Sequence, residues 1–255
     1  MKYFYLLVFL LYNISTAMSG TIDPLNQDIE YINYGKKFNY VGKLCGIGGD
    51  EKQYCASAVA ISDRFILTAA HVIKGAKSCT ITINDKIINI VSLEYPQNFN
   101  PDDFGHNDIA IGYCENIIGL NYYPELYEET DEINKLCSMS GYGLTGTFIT
   151  GAVKSDQHRR AGSNIIDGIQ NDLLICSPSG QDNNRTSLEF MIASGDSGGG
   201  LFIDNKLAGI NSCVMASDKK PDSTYTDECG HTRISKFSKW IKDRTIKIME
   251  KYNEK

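Results

Sequence analysis

The chain has 255 residues and a formal charge of −6, with 31 acidic against 25 basic side chains and eight cysteines. An ordinary apolar content over this length can bury one or two substantial cores, which excludes disordered or collagen-like architecture. The acidic balance argues against a nucleic-acid partner, because general nucleic-acid binders carry a basic stripe.

Met1 to Ala17 read as a secretory signal: Lys2 supplies the positive start, Phe4 to Tyr12 the apolar stretch and Ser15-Thr16-Ala17 the small-residue cleavage site. Cleavage after Ser19 fits as well, since Ala17 and Ser19 are equally small. The apolar stretch is too short to span a bilayer comfortably, so the expectation is secretion, extracellular or periplasmic, with no membrane partner, and an uncleaved anchor is the alternative. Cysteines in an exported chain point to disulfides, although eight allow about 105 connectivities. Cys45, Cys55, Cys79, Cys114, Cys137, Cys176, Cys213 and Cys229 form no close C-x-x-C pair, so no zinc site is expected.

Short runs rich in Ile, Val, Tyr and Thr follow between turn signals: Lys52 to Ser62, Ser78 to Asn84, Lys86 to Leu93, Asp108 to Tyr113, Leu173 to Cys176, Leu201 to Ile203 and Lys206 to Val214. That is an all-β pattern. Glu125 to Glu132 is an acidic stretch expected to be a solvated linker. After Ser235 the period changes, with Phe237, Trp240, Ile241 and Ile248 at helical spacing, which predicts a terminal amphipathic helix. No internal repeat is present. Asn184-Arg185-Thr186 fits a glycosylation acceptor in a polar loop.

Three segments carry candidate chemistry. Gly195-Asp196-Ser197-Gly198-Gly199-Gly200 crowds small residues around one Ser, as a turn presenting a nucleophilic hydroxyl requires. Leu67-Thr68-Ala69-Ala70-His71 places a His after a β-rich run, and His106-Asn107-Asp108-Ile109-Ala110 places an Asp at the mouth of another. A Ser hydroxyl is a poor nucleophile until a base takes its proton, and an imidazole titrating near pH 6.5 suits that exchange.

The order His, Asp, Ser is the chymotrypsin-like order. Thr68-Ala69-Ala70-His71, Asp108-Ile109-Ala110-Ile111 and Gly195-Asp196-Ser197-Gly198-Gly199 resemble the TAAH, DIAL and GDSGG motifs of the trypsin/chymotrypsin family. The likeness runs more weakly from about Tyr54 to Ile241: Ser140-Gly141-Tyr142-Gly143 looks like the family's SGWG strand, Gly209-Ile210-Asn211-Ser212 like its GIVS strand, and Trp240-Ile241 like its terminal helix start.

The resemblance implies two Greek-key β-barrels of the chymotrypsin type with a C-terminal α-helix packed on the second. The first barrel falls at about 36–118, a linker at 119–135, the second barrel at 136–234 and the helix at 235–252. It implies a monomeric serine endopeptidase that needs no cofactor and acts on protein or peptide substrates. His71 would be the base, Asp108 would orient and stabilise the imidazolium, and Ser197 would carry the acyl group. The N–H groups of Gly195 and Ser197 would form the oxyanion hole. Ser212 would lie beside Asp108 and pair its backbone with an extended substrate. Met191 would stand at the base of the primary pocket, with Val214 and Cys229 along its walls. With no charge at Met191, a small or apolar substrate side chain is expected.

Of the other histidines, His106 reads as loop chemistry, His158 as a surface residue and His231 as a part-buried residue near the pocket. A catalytically silent binding protein of the same fold is the alternative function, and an esterase an intermediate one.

The chain also departs from the family pattern. No I-V-G-G activation sequence is present, and no Lys or Arg lies between the signal and Lys36. The expectation is an enzyme active once its signal is removed, with Asp196 meeting another partner or a new terminus near Met18 or Gly20. Val72 and Ala193 occupy positions where the family usually has cysteines, so the bridges must be rewired; Cys45 to Cys55 and Cys213 to Cys229 are the expected pairs. Asn84 to Ile90 lacks the paired carboxylates of the family's calcium loop, so no required metal is expected.

Overall fold

The computed structural model describes residues 20–102, 105–154, 156–179 and 185–253. The expected signal segment and the glycosylation acceptor Asn184 lie outside the described residues. The chain runs β1 (Thr21–Ile22), α1 (Asp28–Gly35), β2 (Val41–Ile47), β3 (Gln53–Ala60), β4 (Phe65–Thr68), α2 (Ala70–Ile73), β5 (Ser78–Ile83), β6 (Lys86–Glu94) and β7 (Ala110–Cys114). It continues through β8 (Leu136–Gly141), β9 (Thr145–Thr147), β10 (Gly151–Lys154), β11 (Arg160–Ile165), β12 (Gly168–Gln170), β13 (Leu173–Cys176) and β14 (Phe190–Met191). It ends with β15 (Gly200–Ile203), β16 (Lys206–Ala216), β17 (Asp227–Arg233) and α3 (Ile234–Asn253).

β2, β3, β4, β7, β6 and β5 close into a barrel in that order. Alternation along β5 turns Cys79, Ile81 and Ile83 inward, where they meet Leu44, Ile66, Leu67, Ile88 and Ile111 in the first core. Asn84 and Asp85 turn β5 into β6 with φ of 47° and 60°. Asp204 and Asn205 repeat the device between β15 and β16, at 48° and 63°. Two-residue turns need this left-handed backbone to match the twist of their strands, and Asn and Asp tolerate it best after glycine.

The second half is a seven-stranded sheet, ordered β11, β8, β15, β16, β17, β13, β12, with a four-stranded sheet ordered β10, β9, β1, β14. Its core gathers Met139, Phe148, Leu174, Phe190, Met191, Leu201 and Cys229. The two halves meet where Phe202 of β15 packs against Phe38 and Tyr40, with ring centroids 5.2 Å apart in both pairs.

Four details differ from the sequence reading. The terminal helix forms, but its apolar side packs against both halves rather than the second alone: Ile234, Phe237, Ile241 and Ile248 share one core with the first barrel and with Leu207 and Ile210 of β16, and Tyr252 stacks on Tyr113 of β7 at 4.6 Å. β17 delivers the chain to the seam between β16 and β7, where an amphipathic stripe finds apolar cover on both sides. In the acidic linker Glu125, Glu128 and Glu129 are exposed, whereas Glu132 is fully buried in a two-pronged pair with Arg233, both contacts 2.7 Å, and accepts the Ser235 hydroxyl at 2.9 Å. Helix α1 carries no strong periodic signal; it is anchored by Asp28 on the wholly buried Arg160, which Asp156 also grips.

The fourth concerns the cysteines. Cys45 and Cys55 sit directly opposite in β2 and β3 with Cα atoms 4.1 Å apart, and their disulfide forms as expected. Cys213 and Cys229 do not pair. A bulge between Asn211 and Cys213 sets Cys213 opposite Gly230 and Val214 opposite Cys229, so the two sulfurs leave opposite faces of the sheet.

Candidate active site

His71 lies in α2, the single turn that follows β4, and Asp108 stands two residues before the start of β7. β4 and β7 are hydrogen-bonded neighbours with Thr68 opposite Ala110, which brings the two side chains to one rim of the first barrel. His71 Nδ1 is 2.7 Å from Asp108 Oδ2, and the His71 backbone N–H donates to Oδ1 at 2.9 Å. The Asp108 side chain is 4% exposed and that of His71 39%, so the carboxylate is sheltered while the imidazole reaches solvent.

Two further contacts come from the second half. Ser212 donates its hydroxyl to Asp108 Oδ2 at 2.6 Å, and Thr232 donates to the Asp108 carbonyl at 2.8 Å. Burial pushes the Asp108 carboxyl up, but hydrogen bonds from His71 and Ser212 and attraction to the His71 charge outweigh it and hold the carboxyl below the usual range.

Ser197 sits in a turn whose glycines do identifiable work. Gly195 and Gly198 have φ of 94° and 83°, and a Cβ on Gly198 would lie 2.0 Å from Thr68 Oγ1 and 2.2 Å from the Ser57 carbonyl. The turn therefore lies directly on the first barrel, three residues upstream of His71. Ser57 of β3 fastens it there: its N–H donates to the Ser197 carbonyl at 2.9 Å and its hydroxyl to the Gly195 carbonyl at 3.0 Å. Asp196 points the other way and is fully buried, accepting from the N–H groups of Gly20 and Gly143 at 2.7 Å and of Ala193 at 2.8 Å.

The structure thus joins His71, Asp108 and Ser212 by direct hydrogen bonds and sets Gly195 and Ser197 against the same barrel. Met191, Val214 and Cys229 collect elsewhere, in and around the second core: Met191 and Cys229 are fully buried, and Val214 is the half-buried cross-strand neighbour of Cys229. His158 is exposed, His106 is half-buried, and His231 is fully buried with Nδ1 2.9 Å from Asn211 Oδ1.

Residues without a motif of their own complete the arrangement. Ser57 and Thr232 hold Ser197 and Asp108 from strands where a hydroxyl carries no sequence signal. A cavity of about 160 Å³ beside His71 is lined by Phe99, Pro101, Ser212 and Cys213. Asp227 is buried and accepts the Ser223 N–H at 2.7 Å, while the Ser223 hydroxyl donates to the Ile192 carbonyl at 2.9 Å. Burial, with some repulsion from Asp222 and Asp218, pushes the Asp227 carboxyl up. Among the described residues no group of three or more His, Cys, Asp or Glu side chains is placed to hold a metal ion, and no helix is long and apolar enough to cross a membrane.

The family model described as Trypsin matches residues 34–241. A chymotrypsin of Phaedon cochleariae is 28% identical, with 86% of this chain and 86% of that protein covered. Kallikrein-8 of Mus musculus is 26% identical over 75% of this chain and 77% of its own. Among solved structures, an HL collagenase superposes with a TM-score of 0.67 at 19% identity, covering 82% of this chain and 94% of that one. Neuropsin, a serine protease expressed in mouse brain, gives 0.64 at 19% identity, with 82% and 95% covered. These neighbours share the chymotrypsin fold.

Proposed function

Because this chain belongs to the trypsin family, we propose that it is a secreted serine endopeptidase whose triad is His71, Asp108 and Ser197. The observation that carries the reading is the sheltered Asp108 carboxylate, which grips both the ring and the backbone nitrogen of His71 on the barrel that supports Ser197. A bond from Asp108 to Nδ1 leaves Nε2 to accept a proton.

In this reading Ser197 Oγ attacks the scissile carbonyl as His71 Nε2 takes its proton. The Asp108 carboxylate stabilises the imidazolium without itself being protonated. The N–H groups of Gly195 and Ser197 receive the oxyanion, an arrangement for which loss of one donor costs about 10²–10³ in turnover. His71 then returns the proton to the leaving amine, and water, activated by the same imidazole, hydrolyses the acyl-Ser197 ester. The backbone of Ser212 offers a strand edge to an extended peptide, which favours peptide over simple ester substrates.

The family resemblance assigns Met191, Val214 and Cys229 to the primary pocket, and the lack of charge at Met191 favours a small or apolar side chain before the cleaved bond. Activation follows from the bond between Gly20 and Asp196: release of the chain at Gly20 places an α-ammonium on a buried carboxylate with no further maturation. The enzyme acts as a monomer without a cofactor or metal. Mass mapping of products from a peptide library tests the reading: wild-type protein is expected to cut internal bonds and Ser197→Ala to cut none.

A further inference from the structure

Three cysteines in the second half meet inside the core. Cys137 of β8, Cys176 of β13 and Cys229 of β17 are 1%, 0% and 0% exposed. Cys137 Sγ and Cys176 Sγ face each other 3.9 Å apart. Cys229 stands opposite Cys176 in the strand register, as Cys45 stands opposite Cys55, and its thiol touches that of Cys176 while making two further polar contacts. It lies 3.3 Å from the Cys176 carbonyl oxygen and 3.4 Å from His231 Nε2.

We propose that Cys137 and Cys176 form a second disulfide of the mature protein and that Cys229 remains a thiol against His231. The two sulfurs at 3.9 Å need to close by about 2 Å to reach the bonding distance of about 2.05 Å. Cys137 would forfeit one contact, its thiol's donation to the Asn164 carbonyl at 3.3 Å, whereas Cys229 would forfeit two, to the Cys176 carbonyl and to His231, and an imidazole deprived of a partner in a core is costly.

The chemistry is thiol–disulfide exchange with an oxidising disulfide such as oxidised glutathione. One of the two thiolates attacks the reagent and expels one thiolate, forming a mixed disulfide. The second cysteine then attacks the protein sulfur of that mixed disulfide and expels the other thiolate. Two cysteines are oxidised, one reagent disulfide is reduced to two thiols, and the two cysteine protons pass to those thiols. Because all three sulfurs are buried, the bond forms while the sheet is still closing.

The consequence is local. β8 leads directly into Gly141 to Gly143, where the Gly143 N–H caps Asp196, and β13 pairs with β17 beside Val214. A Cys137–Cys176 bond ties the strand that supports the Ser197 turn to the strand layer at the opposite side of the core. This inference does not depend on the catalytic reading.

The test is thiol mapping of the full chain folded in a glutathione redox buffer. Thiols are blocked with N-ethylmaleimide in denaturant at acid-quenched equilibrium, and the non-reduced digest is read by mass. The expected result is one peptide pair joining Cys137 to Cys176, with Cys229 carrying the label. A Cys176–Cys229 peptide pair, label on all three residues, or a metal ion retained by the three thiols would overturn the proposal. Cys229→Ser is expected to keep the Cys137–Cys176 pair, whereas Cys137→Ser is expected to expose Cys176 to the label; a Cys229→Ser protein lacking the pair also overturns it.

Discussion

The backbone nitrogen of Gly20 donates to Asp196 Oδ2 at 2.7 Å, tying the start of β1 to the residue that precedes Ser197. Only glycine fits there: its φ is 55°, and a Cβ would lie 2.0 Å from the Phe190 ring. Strand β1 holds the nitrogen in place by pairing with β9 on one side and β14 on the other. Protein that begins at Gly20 is expected to hydrolyse peptides at least about tenfold faster than protein retaining Met18 and Ser19, since 1.4 kcal/mol from one buried ion pair is tenfold. Equal rates for the two forms, measured on one substrate after N-terminal sequencing, would show that the terminal charge is unnecessary.

Asp108→Asn is expected to lower kcat by about 10⁴ while leaving the fold intact, because the amide no longer enforces the correct His71 tautomer. The pH dependence has a definite sign. A carboxyl whose folded value is depressed contributes stability that is complete above its unfolded value near 3.9 and is lost as pH falls through the lower folded value. Urea denaturation between pH 7 and pH 2 is therefore expected to show a loss below about pH 4 that Asp108→Asn reduces.

Glu132 belongs to stability rather than chemistry. Burial pushes its carboxyl up, yet Arg233 and Ser235 hold it below the usual range. Glu132→Gln leaves the Arg233 guanidinium without its charge partner and is expected to cost about 3–5 kcal/mol, read as a lower urea midpoint at pH 7. No comparable loss in kcat should accompany it.

How much of this was legible beforehand depended on whether a signal was local. The Ser197, His71 and Asp108 segments stand out because a strained turn and two strand ends need small or fixed residues close by in the chain. The runs Leu173 to Cys176 and Lys86 to Leu93, apolar between turn residues, became strands Leu173–Cys176 and Lys86–Glu94. Ser57, Thr232 and Gly20 were hidden or only half visible, because each acts on a partner far away in sequence through an ordinary hydroxyl or backbone group. The Cys213–Cys229 expectation failed for a related reason: one bulge residue reverses which face a side chain occupies, and nothing in the composition of β16 announces it.

Val214→Gly is expected to widen acceptance toward larger apolar side chains, since Val214 stands across from Cys229 at the wall of the proposed pocket. Profiling wild type and variant on peptides differing only before the cleaved bond checks this. Best cleavage after Lys or Arg in the wild type would refute the apolar assignment made from Met191.

Labelling of the purified protein by a fluorophosphonate probe, with the modified peptide identified by mass, bears most directly on the triad. The expected result is a single adduct on Ser197 that disappears in both Ser197→Ala and His71→Ala. A folded wild-type chain beginning at Gly20 that takes no label, or takes it equally well in His71→Ala, would contradict the assignment of His71, Asp108 and Ser197 as a working triad.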